Sequence, residues 1–153
     1  MFTLLVQADG VKPQRTESKD MYLQLSVVCD EAKEGEYGKL NISGIFNDLS
    51  APGFPAKHDM VLVIVIQWGY KDAGRYDFQV DLIGPGERPS MTVHGHSDVD
   101  NRDENRPPPR TQLILPLKEV IFPEKGVYRF YLQVKGRTLE GPSLYLIDST
   151  KQG

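Results

Sequence analysis

Apolar side chains fall at every second position along most of this chain, and that period sets the fold class before any motif is read. A period of two places alternate residues on opposite faces of an extended strand. In MYLQLSVVCD, Met21, Leu23, Leu25, Val27 and Cys29 share one face, with Tyr22, Gln24, Ser26 and Asp30 on the other. KLNISGIFN groups Leu40, Ile42, Gly44 and Phe46. GRYDFQVDLIG sets Tyr76, Phe78, Val80 and Leu82 against Asp77, Gln79 and Asp81. VYRFYLQV aligns Tyr128, Phe130, Leu132 and Val134, and Lys135-Gly136-Arg137 reads as a hairpin turn returning through LEGPSLYLI. A weaker strand is expected around Met91 to Val99, and TQLILPL is another strand. Turn residues separate these runs, and no segment carries the helical period over ten or more residues. The sequence therefore predicts an all-β chain: a single antiparallel β-sandwich of about eight strands over residues 21–150, immunoglobulin-like, with a C2-like sandwich as the alternative.

Two stretches depart from simple alternation. VLVIVIQW is apolar on both faces, whereas a strand in a two-layer sandwich hides only its inner face. Val61, Val63 and Val65 therefore need cover on the outside as well. Residues 1–20 form an N-terminal extension whose FTLLV run is a possible extra strand, able to pair with a sheet edge or to cover the outer face of the third strand. EAKEGEYGK and PAKHDM are expected as turns, the second holding His58.

The chain's 153 residues suffice for one core without staples, and 39% hydrophobic with 25% charged residues is ordinary for a globular domain. At a formal charge of −3, the basic residues are scattered and form no stripe to follow a phosphate backbone, so no nucleic-acid partner is expected. A single cysteine, Cys29, excludes an internal disulfide. The N-terminus lacks the pattern of a signal peptide, and the longest apolar run, Met60 to Ile66, is too short to span a bilayer. A cytoplasmic location without membrane contact is the expectation.

Several runs together resemble a bacterial domain-of-unknown-function family of small immunoglobulin-like β-sandwich proteins. They are Cys29-Asp30-x-Ala32, Gly38-Lys39-Leu40-Asn41-Ile42-x-Gly44-Ile45-Phe46, Phe54-Pro55-Ala56, Gly74-x-Tyr76-x-Phe78-x-Val80-x-Leu82, and Phe122-Pro123-x-x-Gly126-x-Tyr128-x-Phe130. The resemblance runs from Met21 to Ile147. It implies the fold, a bacterial or phage origin and a cytoplasmic setting. It implies no activity and no functional residue.

The stretch HGHSDVD offers the most chemistry. His94 and His96 share a strand face and could grip one ion. Asp98 would lie roughly 13 Å from His94 at about 3.3 Å per residue, too far to join them. The hydrolase pattern His-x-His-x-Asp-His meets Val99 at its last position, and no histidine follows His96. Gly95-His96-Ser97-Asp98-Val99 nearly matches the nucleophile elbow Gly-x-Ser-x-Gly, but Val99 again fills a place the motif needs for glycine. His96, adjacent to Ser97, points to the opposite face and cannot serve as its base. The reading is two solvent-facing histidines on the polar side of a strand.

Other features are weaker. Cys29 shares its expected face with Leu23, Leu25 and Val27, which predicts a buried, inert thiol. Gly84-Pro85-Gly86 lacks the Lys-Ser/Thr pair and helix of a phosphate loop. Arg106-Pro107-Pro108-Pro109-Arg110 favours polyproline II and more often stiffens a connection than serves as a ligand. Asp98, Asp100, Asp103 and Glu104 have calcium-loop composition without the central glycine and closing glutamate.

No catalytic, cofactor-binding or metal-ligating residue emerges, no cofactor is expected, and the chain is read as a non-enzyme. The leading expectation is a binding or assembly module acting through sheet-edge or face contacts with a protein partner or with itself. The alternative is a small-ligand or metal-binding sandwich using the 84–110 loop region, with His94, His96 or the acidic loop as polar contacts.

Overall fold

The computed structural model describes residues 21–151. The expected extra strand at FTLLV lies outside these. Strands form at β1 (Tyr22–Glu34), β2 (Leu40–Phe46), β3 (Asp48–Ala51), β4 (Ala56–Gln67), β5 (Gly74–Ile83), β6 (Pro89–Val99), β7 (Arg110–Phe122), β8 (Gly126–Val134) and β9 (Arg137–Asp148), with single 3-10 turns at Glu36–Gly38 and Ser149–Lys151. They build two packed sheets, β2-β1-β4-β7 (sheet A) and β3-β9-β8-β5-β6 (sheet B). The fold is thus an all-β sandwich of nine described strands rather than about eight. The additional one is β3, four residues long and too short to show a period. It is also not wholly antiparallel, because β3 pairs parallel with β9.

Alternate residues of β4 meet alternate residues of sheet B. Leu62, Ile64 and Ile66 are buried in one core with Val80, Leu82, Phe130, Leu132 and Leu144. Each such side chain contributes about 1.5–3 kcal/mol when fully buried. The β8–β9 hairpin turns on Lys135 and Gly136 alone, both at positive φ (52° and 69°), the backbone that two-residue hairpins favour because it matches strand twist.

The first strand departs from the sequence reading. A bulge between Leu23 and Leu25 shifts its register against β4 and reverses the faces beyond it. Leu23 packs on the core, but beyond the bulge Val28 is the residue that enters it. Leu25, Val27 and Cys29 instead stand opposite Val65, Val63 and Val61 on the outer side of sheet A. Cys29 is fully buried, as expected, but away from the inter-sheet core and on the other face. Two other local readings also change. EAKE belongs to β1 rather than to a turn. His58 lies within β4 rather than in a turn, because β4 begins at Ala56.

Candidate functional site

His94–Val99 of HGHSDVD form the last part of β6, the edge of sheet B, and Asp100 follows it. His94 faces Gln79 and His96 faces Asp77 across the β5–β6 ladder. Both imidazoles are exposed on the outer face, as is Asp98. Among the described residues no group of three or more His, Cys, Asp or Glu side chains could hold a metal ion. His58 lies in the other sheet.

Gly95 and Ser97 point inward, and each has a packing role. A β carbon at Gly95 would collide with the ζ carbon of the Phe78 ring. Phe78 is the direct cross-strand partner of Gly95 and is buried. The glycine of the apparent elbow is therefore the seat of an aromatic ring. Gly95→Val should cost about 1–3 kcal/mol through overpacking, read as a lower urea midpoint with an unchanged m-value. Ser97 is buried, and its hydroxyl shares a 2.7 Å hydrogen bond with Thr111 of β7. Thr111 also accepts from Trp68 Nε1 at 2.8 Å. The Ser97 hydroxyl thus helps join the neighbouring edges of the two sheets.

The outer face of sheet B continues as a polar array. Asp81, 6% exposed, accepts from Thr92 Oγ1 at 2.7 Å and from the side-chain amides of Gln79 and Gln133 at 3.0–3.1 Å. Alternation placed Asp81 and Gln79 on this polar face, but Thr92 and Gln133 come from neighbouring strands, and no spacing signals them. Three donors on one carboxylate form a satisfied structural cluster.

The Pro-rich connection is held at two carbonyls. Tyr70 Oη donates to the Arg106 carbonyl at 2.6 Å, and the Trp68 amide donates to the Pro109 carbonyl at 2.9 Å. Asp103 caps its own turn by accepting from the Asn105 amide at 3.0 Å. These contacts fit the stiff-connection reading of RPPPR.

The outer side of sheet A holds a different arrangement. Val63 is fully buried and Val65 is 3% exposed, yet neither belongs to the inter-sheet core. This is the outside cover that the doubly apolar strand demanded. Part of it comes from the β1–β2 hairpin. β1 pairs with β4 only over Tyr22–Cys29, and with β2 over Val28–Glu34. The arm beyond Asp30 therefore leaves the sheet. Leu40 pairs with Glu34, nine positions along β1 from Leu25 and about 30 Å away in a straight strand. Leu40 and Ile42 nevertheless line one groove with Leu25, Val65 and Gln112, so the arm bends back over the outer face. The bend coincides with Gly44, whose φ of +73° disfavours a side chain and where a β carbon would meet the Asp30 carboxylate. The groove left under the arm is about 480 Å³ and is also lined by Gln24, Lys39 and Arg110. Burial raises the pKa of the Cys29 thiol, which its neighbour Asp30 reinforces against a backbone hydrogen bond.

The match to known proteins covers this whole framework. A family model matches residues 24–147, from within β1 to the penultimate residue of β9. The chain belongs to DUF6941, a family of unknown function. The DUF6941 match takes in both the arm and the groove-lining residues from Gln24 to Gln112. Among curated proteins none matches the chain.

Proposed function

We propose that this chain is a non-enzymatic binding or assembly module that works by adding a strand to the open edge of the β1–β2 arm. The observation that carries the reading is the pairing pattern: among the described residues, β1 from Asp30 onward has β2 on one side only, and β2 has no second neighbour. Unpaired backbone edges accept another strand. The other edges are better protected. β3 has four residues, β7 carries Pro116, and β6 opens with Pro89. Ile45, 61% exposed on β2, and Tyr37, 91% exposed at the tip of the hairpin, supply apolar contact beside the free backbone.

An immunoglobulin-like relationship supports a contact role and is part of the proposal. β9-β8-β5-β6 faces β4-β7 as the G-F-C-C′ sheet faces strands B and E in that architecture. Tyr128, near the start of β8, donates to the Glu124 carbonyl at 2.6 Å and accepts from its amide at 3.2 Å, the arrangement of a tyrosine corner. The fold alone specifies no reaction.

Sedimentation velocity tests the assembly reading. The wild type should sediment above monomer mass as concentration rises, and Ile45→Glu should return it to monomer by placing a charge at the contact. A wild type that stays monomeric at every concentration, or an association indifferent to Ile45→Glu, overturns the proposal.

A further inference from the structure

We infer that the groove between the β1–β2 arm and the outer face of sheet A takes up this chain's own residues 2–6, Phe-Thr-Leu-Leu-Val. Its floor is Leu25 and Val65, and its roof is Leu40 and Ile42. A strand with apolar residues on both faces fits such a slot. Phe2, Leu4 and Val6 fall on one side of FTLLV and Leu5 on the other. Gln112, a neighbour of Val65 across the β4–β7 ladder, completes the lining with a polar side chain.

The covalent layout favours the chain's own segment over an outside one. The described chain starts at Met21, a few residues from Gln24 and Leu25 in the groove wall. Residues 7–20 connect FTLLV to that point, and at about 3.3 Å per extended residue they leave ample length to turn back. A tether of this size holds the segment at an effective concentration on the order of millimolar. Asp9 follows the apolar run closely, and Lys39 and Arg110 line the groove. This goes beyond the strand-addition reading, because the arm's backbone edges stay free whichever segment lies beneath it.

Methyl NMR on the full chain decides the matter. NOEs should join the methyls of Leu4 and Leu5 to those of Leu25, Leu40, Ile42 and Val65. Leu4→Ser/Leu5→Ser should erase them and shift the groove methyls while the core methyls of Leu82 and Leu132 hold position. Absence of such NOEs in the wild type overturns the inference. So does a sample mixed from differently labelled chains that shows them between chains, because a second copy would then donate the segment. The wild-type and mixed-label measurements stand even where the double variant fails to fold. Neither depends on whether the arm recruits a partner.

Discussion

Trp68→Ala should lower the unfolding free energy by about 3–5 kcal/mol, the cost of truncating a large buried aromatic side chain. Trp68 is 2% exposed and stacks on Tyr76, with centroids 4.8 Å apart and planes 17° from parallel. Its indole N–H donates to Thr111 Oγ1, and the same hydroxyl meets Ser97. Its backbone amide holds the Pro109 carbonyl. One residue at the exit of β4 thus fastens β6, β7 and the Pro-rich connection to one another. Trp68→Phe should cost less, about 1–2 kcal/mol, because it keeps the ring and loses the donor. The chain has one tryptophan, so circular dichroism against urea is the suitable measurement. Amide exchange adds a local readout, with protection lost first at Ser97–Val99 and Arg110–Gln112. A loss below about 1 kcal/mol for Trp68→Ala would show that the edges close without the ring.

The strand pattern was legible because alternation is a local property. β5 and β8 show it cleanly, and their burial follows it: Phe78, Val80, Leu82, Tyr128, Phe130, Leu132 and Val134 all enter the core. The hairpin turn at Lys135-Gly136 was legible for the same reason, although Arg137, read as part of it, already lies in β9 and pairs with Val134. Reading β1 failed at one point. A single bulge between Leu23 and Leu25 exchanges the faces, and MYLQLSVVCD alternates plausibly in either register. The bent-back arm was hidden in a similar way. Gly44 sits at an apolar position of an alternating run and looks like a small core residue. An isolated glycine within a strand is nevertheless a signal of a bulge or bend.

The chemistry of HGHSDVD divides along the same line. Two histidines on one face follow from the period alone, and both are exposed. The inward residues could not be assigned from spacing. Gly95 answers to Phe78 on the neighbouring strand, and Ser97 answers to Thr111 at the edge of the other sheet. Conversely, the apolar run Val61 to Trp68 announced an outside cover without saying which segment supplies it. That answer required knowing where β1 leaves β4.

Asp72→Ala is expected to destabilise the fold by about 2–4 kcal/mol. Asp72 is 5% exposed in the connection between β4 and β5. One carboxylate oxygen accepts from the Gly69 amide at 2.7 Å, and the other accepts from Lys135 Nζ. Lys135 belongs to the β8–β9 turn, so this pair ties two distant turns together at one end of sheet B. Removing the carboxylate leaves the Gly69 amide without this acceptor and deletes the Asp72–Lys135 ion pair. The expected loss stays below that of a fully enclosed pair because the Lys135 side chain is 37% exposed and water can reach it. Its ammonium also lies 5.9 Å from the centroid of the Tyr76 ring, the ring that stacks on Trp68. Asp72→Asn separates the contributions: it keeps an acceptor for Gly69 and discards the charge, so it should cost about half as much. Truncating Trp68 removes the support beneath Tyr76 and thus beneath Lys135, so Trp68→Ala and Asp72→Ala together should cost less than their sum. Strict additivity in that double-mutant cycle would show the stacked rings and the ion pair to be independent.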